Sequence, residues 1–255
     1  MRKTGKIAVR VLILALFFSQ AVIAESGLFA QQILMVNEVW APYRIGTNDK
    51  PHEWTGIDID LVRELEKRLN IKVTITSASW ARCLEMIRNN QADMLTGVAW
   101  TEERTHTMLY VPTSYSTVQP VFYTKKGREN QLKSYEDLRG LTIGQSISSA
   151  YFEPYNSDAS INKLHLKDEI IILKMLESER IDLAIGTEPN ISWDVAQNGL
   201  RGVLVPTRWQ PEQKTALFIV FSSKWKDSKL IEDVNRAIKD MISDGTITAI
   251  HAKYK

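Results

Sequence analysis

Cysteine is nearly absent from this 255-residue sequence, in which Cys83 is the single example. One cysteine cannot form a disulfide bond within the chain, so the fold must be stabilised by packing. Cys83 lies at helical spacing from the apolar residues Trp80, Leu84 and Ile87. That setting predicts a small buried residue and disfavours a reactive nucleophile.

Histidine is scarce as well, and charge of neither sign is concentrated. The four histidines are scattered without the spacing of zinc ligands, so we predict no metal site and no cofactor. No Ser-His-Asp or Cys-His arrangement is visible, which disfavours a hydrolase, and we name no catalytic residue. The formal charge of +2 comes without a basic block, so nucleic acid is not a predicted partner.

Long apolar runs are missing too. The run at residues 11–18 is too short to cross a bilayer, and a stretch with four basic residues precedes it. Val22-Ile23-Ala24 suits a cleavage site. This pattern predicts a cleaved secretory signal peptide over residues 1–24, and the short run disfavours the alternative of an uncleaved anchor. Subtracting its four basic residues from 32 leaves 28 against 30 acidic ones, a mature charge of about −2.

What is present is an alternation of strands and helices. An apolar strand at residues 33–36 precedes a helix with one apolar face that opens at residue 56, and a β-branched strand follows at residues 71–75. Asp58 or Asp60 is expected to cap that helix. A strand–helix–strand unit of these lengths predicts a right-handed crossover in a parallel sheet.

A second pattern of the same kind starts near residue 141. It comprises a strand at 141–144, a turn into a helix at Ala150, a helix at 170–176, a strand at 181–186 and a helix beginning at Pro189. Two similar α/β lobes are the natural interpretation.

The segment from Asp93 to Arg104 is the main candidate for a binding site. It is expected to form a short strand, a close turn at Gly97 and a helix capped by Thr101, with Arg104 in the first helical turn. Backbone N–H groups and an arginine suit a carboxylate, which Arg can bind through two parallel hydrogen bonds. The alternative is a surface ion pair between Arg104 and one of three acids, Glu102, Glu103 or Asp58.

Three aromatic residues are expected beside Arg104. Trp40 and Tyr43 follow the first strand on a loop, and Trp80 begins a helix. In an open parallel sheet, ligands bind outside the carboxyl ends of the strands, where these residues converge. The alternative is that one of the loop aromatics covers the core.

Seven stretches keep the order and spacing of a known family over essentially all of the chain after residue 24. They are Ala41-Pro42-Tyr43, Gly56-Ile57-Asp58-Ile59-Asp60-Leu61, Ala92-Asp93-Met94, Thr101-Glu102-Glu103-Arg104, Tyr135-Glu136-Asp137-Leu138-Arg139-Gly140, Arg180-Ile181-Asp182-Leu183-Ala184 and Asp244-Gly245-Thr246. The chain thereby resembles the bacterial periplasmic extracellular solute-binding proteins of the polar amino acid type, family 3, of ABC transporters.

The resemblance implies a two-lobed α/β periplasmic-binding-protein fold of type II. Each lobe would be a mostly parallel sheet flanked by helices. Residues 25–123 with 215–255 would form lobe 1, and residues 124–214 would form an inserted lobe 2. Two hinge strands would join the lobes, which would close over a ligand in the cleft.

The resemblance also implies a ligand site in that cleft. Arg104 matches the arginine that holds a ligand carboxylate, Trp40 and Tyr43 match cleft aromatics, and Trp80 matches an apolar wall. Ser148 and Ser149 match a second-lobe turn that donates hydrogen bonds across the cleft. Gly97 and Ala99 stand where the family often has Ser or Thr, so backbone donors remain there without hydroxyls.

One departure concerns the ligand amine. The family usually has an Asp for it after the second-lobe strand, where this chain has Thr187 and then Glu188. Threonine cannot neutralise a buried ammonium group. Either Glu188 substitutes for the Asp, or the ligand is not a standard α-amino acid. Glu188 could equally be a solvated acid of the next helix.

The resemblance implies a monomeric periplasmic protein that binds a small carboxylate-bearing solute, an amino acid or a relative, for a membrane permease. The first alternative is an enzyme on the same scaffold, similar to a cyclohexadienyl dehydratase, with Glu188 or, less favoured, Glu38 as the acid. The second is a sensory protein that presents its ligand to a membrane receptor. The resting state, open or closed, is not predicted.

Overall fold

A computed structural model describes residues 31–47, 49–50 and 53–254 of the chain. The predicted signal peptide, residues 1–24, lies outside them. Within the described residues, no helix combines the length and apolar content needed to span a membrane. The elements form a mixed α/β fold of two lobes, which confirms the predicted fold class.

The first lobe starts with three parallel strands and their crossover helices. In chain order these are β1 (Gln31–Asn37), α1 (Ile57–Leu69), β2 (Ile71–Ser77), α2 (Trp80–Arg88) and β3 (Met94–Ala99). Strand β1 lies between β2 and β3 and pairs in parallel with both. Side chains alternate along β1, so Ile33 and Met35 pack in the core under α1 while Val36 packs in the core under α2.

The chain then leaves the first lobe and builds the second. It passes through α3 (Glu102–Thr105), β4 (Met108–Tyr110) and β5 (Ser116–Lys125). The second lobe contains β6 (Thr142–Ser146), β7 (Asn162–Leu166), α4 (Glu169–Glu177), β8 (Leu183–Glu188), α5 (Asn190–Gln197) and β9 (Leu204–Pro206). Strand β6 lies between β7 and β8, parallel to both, as in the first lobe.

The last elements return to the first lobe. They are β10 (Thr215–Ser222), α6 (Leu230–Ser243) and α7 (Thr246–Ala252). Strand β10 pairs with β3, and both C-terminal helices pack against α1. Strand β5 changes partner along its length, since residues 116–118 pair with β10 and residues 119–123 pair with β8. It therefore connects the two sheets.

The helix expected at Ala150 is absent, and that prediction was wrong. Residues 147–161 form turns without a helix. Ser148 has a φ of +62°, which interrupts a right-handed helix at its start. The chain there is held instead by its aromatic side chains, because Phe152 and Tyr155 are buried and stack on each other beside Phe122.

Gly97 also differs from its prediction. It lies inside β3 rather than at a turn that ends the strand, and its φ is +74°. The pairing with β10 shifts at this point, because Leu95 faces Val220 while Val98 faces Phe218. The extra residue makes a β-bulge, a conformation that glycine adopts readily.

Candidate functional site

A cavity of about 60 Å³ lies between the two lobes. Six predicted site residues line it, namely Trp40, Trp80, Gly97, Ala99, Arg104 and Ser149. Its lining also includes Glu38, Arg44, Glu169 and Thr187. Ligand pockets usually measure roughly 300–1,000 Å³, so the two lobes lie close together here, in a closed form whose cavity is smaller than such a pocket.

Arg104 is positioned by the short helix α3. The Thr101 hydroxyl accepts from the Arg104 backbone N–H at 3.3 Å, which confirms the predicted cap. The side chain is 8% exposed. Its Nη1 donates to the Ala99 carbonyl and its Nη2 to the Ser148 carbonyl, both at 2.7 Å. No ion pair joins Arg104 to an acid of the described residues, so the surface ion pair considered above is not present.

Ser148 makes its contact across the cleft through its backbone. Its carbonyl oxygen accepts from Arg104 and also from Trp80 Nε1 at 3.3 Å, and Trp80 lies under the Arg104 guanidinium at 5.9 Å. The hydrogen bonds that Ser148 and Ser149 are expected to donate to a ligand stay a prediction. A ligand carboxylate would have to take the place of this carbonyl oxygen. Ser149, beside it, lines the cavity.

Arg44 is a second cavity arginine that the sequence did not reveal. Its Nη1 donates to the Asp58 carboxylate, and its Nε donates to the Glu38 backbone carbonyl at 2.9 Å. Asp58 also accepts from Thr96 and Tyr115, both at 2.7 Å. The prediction that Asp58 or Asp60 caps α1 was therefore wrong, since Asp58 is committed to this buried ion pair and Asp60 accepts from Lys253 Nζ at 2.9 Å. Gly56 is the N-cap, without a side-chain hydrogen bond.

The guanidinium of Arg44 leaves no room for a side chain at position 97, where the chain has glycine. A Cβ at Gly97 would lie 2.5 Å from Arg44 Nη1, closer than any normal contact. Arg44 thus occupies the space that a side chain at position 97 would need. The absence of a hydroxyl at position 97 therefore follows from the position of Arg44 in its buried ion pair with Asp58.

The two predicted loop aromatics, Trp40 and Tyr43, have different environments. Trp40 lines the cavity, whereas Tyr43 is 2% exposed and packs in the first-lobe core. Their rings stack with centroids 4.5 Å apart, and the Tyr43 hydroxyl lies 3.2 Å from the Ser116 hydroxyl. Tyr43 thus supports Trp40 from behind and covers the core.

Glu188 does not line the cavity. Its carboxylate accepts from the Tyr123 hydroxyl at 3.0 Å and from Ser192 Oγ at 2.5 Å. Thr187, one residue earlier on β8, lines the cavity instead, because successive side chains of a strand point to opposite faces. Neither residue supplies a negative charge to the cavity.

Two other acids do reach the cavity, Glu38 and Glu169. Glu38 Oε1 accepts from the Trp80 backbone N–H at 3.0 Å, at the start of α2. Burial raises the pKa of Glu38 above its usual range. Burial, followed by the nearby acids Asp194 and Glu38, raises the pKa of Glu169 well above its usual range. Burial also raises the pKa of Asp194 to about 6.

Sequence comparison assigns the chain to a family. A model of the bacterial extracellular solute-binding proteins, family 3, matches residues 33–255. The chain belongs to this family. It is 24% identical over 201 residues to the L-cystine-binding protein TcyA of Bacillus subtilis (strain 168), covering 78% of this chain and 72% of that protein. It is 24% identical over 220 residues to the arginine-binding extracellular protein ArtP of the same strain, covering 80% of this chain and 82% of that protein.

Solved structures show the same fold. A histidine kinase sensor domain with similarity to periplasmic binding proteins aligns with a TM-score of 0.78 at 16% identity, over 89% of this chain and 96% of that one. The amino acid ABC transporter substrate-binding protein AbpA from Streptococcus pneumoniae Canada MDR_19A, bound to L-arginine, aligns with a TM-score of 0.72 at 22% identity, over 90% and 98%. These likenesses support the two-lobed architecture.

Proposed function

We propose that this protein binds a small carboxylate-bearing solute, an amino acid or a relative of one, in the periplasm and delivers it to an ABC permease. The supporting observation is the setting of Arg104, a buried guanidinium in the cleft whose N–H groups meet backbone carbonyls and no carboxylate of the described residues. A ligand carboxylate would replace the Ser148 carbonyl and accept two parallel N–H bonds.

Lobe movement is part of the proposal. Residues 25–123 with 215–255 form one moving body and residues 124–214 the other, joined through β5 and the segment that leads into β10. The change of pairing partner between Val118 and Gln119 supports a hinge along β5. The protein acts as a monomer, and closure over the solute presents the two lobes together to the permease.

A thermal-shift screen tests the binding role. Amino acids, polyamines and simple carboxylates are added to the mature protein, because a ligand that binds only the folded form raises Tm. We expect carboxylate-bearing solutes to raise Tm in the wild type and not in Arg104→Met. Arg139→Met, at an exposed position of the second lobe, is the control. Failure of all carboxylates, or full binding by Arg104→Met, contradicts the proposal.

A second candidate is a dehydratase on this scaffold. Glu38 and Glu169 favour it, since cavity acids with raised pKa values can hold a proton for a leaving hydroxyl. Glu188, the acid considered first from the sequence, lies outside the cavity. Incubation with prephenate or arogenate decides the matter: aromatic product establishes an enzyme, and its absence leaves the binding role. Presentation of the ligand to a receptor would use the same closed form.

A further inference from the structure

The guanidinium that we assign to the ligand is already hydrogen-bonded to the second lobe. The Ser148 carbonyl oxygen accepts from Arg104 Nη2 at 2.7 Å and from Trp80 Nε1 at 3.3 Å, and both donors belong to the first lobe. A carbonyl oxygen has two lone pairs, so these two N–H bonds use its full capacity. The chain thereby places an oxygen of its own where the proposed function places an oxygen of a ligand carboxylate.

The turn that carries this carbonyl is held within the second lobe. The Ile147 N–H donates to the Leu166 carbonyl at 2.8 Å, and the Ser149 N–H donates to the Ser146 carbonyl at 3.2 Å. Between them, Ser148 has a φ of +62°, in the left-handed region that residues other than glycine seldom adopt. Because the direction of a carbonyl depends on the backbone dihedral angles around it, this conformation helps to aim the Ser148 oxygen at the first lobe.

Open space on the far side of the turn gives it room to move. The cavity of about 60 Å³ lies on one side, and a pocket of about 450 Å³ lies on the other. Arg104, Ser149 and Ala150 line both, so the turn and Arg104 separate the two spaces. Breaking the hydrogen bond between them would join the spaces into one volume of the size usual for a ligand, roughly 300–1,000 Å³.

Further hydrogen bonds join the lobes without a ligand. Asn190 Nδ2, at the start of α5, donates to the Ala41 carbonyl of the first lobe at 3.1 Å. The Thr215 hydroxyl, at the start of β10, donates to the Tyr151 carbonyl at the end of the turn. The protein therefore satisfies its own contacts across the cleft in this closed form.

The contact between Ser148 and Arg104 is one that a ligand can displace. The carbonyl oxygen is neutral and meets one N–H group of Arg104, whereas a carboxylate carries a full charge and accepts two N–H bonds in parallel. In a buried setting, a guanidinium gains more from a charged partner than from a neutral one. A ligand carboxylate therefore binds Arg104 more strongly than the Ser148 carbonyl does.

We propose that the turn at residues 146–151 is a latch that closes the empty protein, in which the Ser148 carbonyl takes the place of the ligand carboxylate on Arg104. This inference rests on the proposed function, because it assigns what Arg104 binds when no solute is present. The latched form cannot accept the solute, so the affinity that is measured falls in proportion to the fraction of open protein. Weakening the latch should therefore strengthen binding.

Small-angle X-ray scattering tests the latch on the mature wild-type protein. The probe is whichever of the common L-amino acids and L-cystine raises Tm most in the thermal-shift screen. A protein whose empty lobes are apart contracts when the probe closes them, whereas a latched protein is already compact. We expect the radius of gyration to be the same, within error, with and without the saturating probe. A clear contraction overturns the latch and supports the binding role.

Two substitutions at Ser148 test the turn itself. Ser148→Gly and Ser148→Ala both remove the hydroxyl, but glycine adopts a positive φ freely and alanine does so at a cost. Ser148→Ala should therefore open more often, and without any ligand its Trp80 indole N–H should exchange with solvent about fivefold faster than that of Ser148→Gly. NMR measures that exchange, and Trp80→Phe assigns the signal. By calorimetry, Ser148→Ala should bind the probe about fivefold more tightly than Ser148→Gly.

Asn70 provides the matched control, because it has a φ of +51° at the exposed C-cap of α1. Asn70→Gly and Asn70→Ala should leave both the indole exchange and the affinity as in the wild type. Equal exchange rates or equal affinities in the two Ser148 variants overturn the latch and leave carboxylate binding by Arg104 intact. If no amino acid binds, the proposed function is contradicted, and the ligand-free exchange rates still decide whether the lobes are latched.

Discussion

Arg44 and Arg104 are two buried arginines that line the same cavity, and they differ in what neutralises them. Arg44 is 2% exposed and forms an ion pair with Asp58, which Thr96 and Tyr115 complete with further hydrogen bonds. Arg104 is 8% exposed and meets two backbone carbonyls. Burial lowers the pKa of Arg104, as expected for a cation removed from water without an acid beside it.

The comparison shows why position in a cavity does not by itself identify a binding residue. A guanidinium whose charge is already balanced stabilises the fold and has little to gain from a ligand carboxylate. One that lacks a counter-ion has much to gain, because each charged hydrogen bond to a ligand contributes roughly 1.5–3 kcal/mol. We therefore assign Arg44 to the scaffold and Arg104 to the ligand.

The largest expected effect on stability comes from Arg44. Arg44→Met leaves Asp58 buried and unpaired, which should lower the free energy of unfolding by about 3–5 kcal/mol. Chemical denaturation measures it. Pairing Arg44→Met with Asp58→Asn should recover part of the loss, because the unpaired charge is then removed. A single variant as stable as the wild type would show that Arg44 is not a scaffold residue.

Replacing Arg104 should affect ligand affinity more than stability, the reverse of what we expect for Arg44. Arg104→Met loses two hydrogen bonds to a ligand carboxylate, which predicts an affinity loss of about 100-fold or more by calorimetry. Its effect on the free energy of unfolding should be smaller than that of Arg44→Met, since no buried acid is left unpaired. Arg104→Lys retains the charge without the planar fork and should fall between Arg104→Met and the wild type. Equal losses of stability in Arg44→Met and Arg104→Met would contradict the assignment of Arg44 to the scaffold and Arg104 to the ligand.

A substitution at Gly97 tests whether Arg44 requires a glycine at this position. Gly97→Ser restores the hydroxyl common in the family, yet its Cβ would lie 2.5 Å from Arg44 Nη1 at a φ of +74°. We expect a loss of about 2–4 kcal/mol in the free energy of unfolding, from crowding and backbone strain together. Gly199→Ser is the control, because Gly199 has a φ of +71° and open space around it. If both variants lose the same free energy of unfolding, contact with Arg44 is not the reason for a glycine at position 97.

The smallest expected effect is a change in how stability depends on pH. Burial raises the pKa of Asp194 to about 6 and that of Glu169 well above its usual range, with the nearby acids Asp194 and Glu38 adding to the effect on Glu169. The folded protein therefore holds these protons more tightly than the unfolded chain. Their contribution to stability is complete below about pH 4 and is lost as the pH rises through 6 and beyond.

Asp194→Asn and Glu169→Gln should therefore gain stability relative to the wild type as the pH rises from 4 to 7, measured by Tm without ligand. Glu177→Gln should follow the wild-type curve. A wild-type curve parallel to those of the two variants would show that these acids are not protonated in the folded protein.

Much of the architecture followed from the sequence because periodicity and capping are local. The apolar alternation of β1 and β2 and the Thr101 cap depend on neighbours within a few residues. The Arg44–Asp58 pair depends on two residues that meet only when the loop after β1 packs on α1, so Asp58 resembled an ordinary helix cap. The helix expected at Ala150 failed because aromatic packing, not local propensity, fixes that segment.

The sequence suggested Glu38 as the less favoured candidate acid but did not identify Glu169, for a related reason. Glu169 follows its own helix cap, Asp168, and resembled a solvated first-turn acid. Only the folded chain shows that it lines the same cavity as Glu38, which comes from the first lobe. Glu188 was considered because it is next to Thr187, but adjacent residues of a strand face opposite sides.

The different roles of the two arginines are tested by a calorimetric titration of the amino acid with the highest affinity into the wild type, Arg104→Met and Arg44→Met. All three are held at a temperature where each is folded. We expect Arg104→Met to lose about 100-fold or more in affinity, while Arg44→Met, though less stable, stays within about tenfold of the wild type. Wild-type affinity in Arg104→Met would contradict the claim that Arg104 binds the ligand carboxylate.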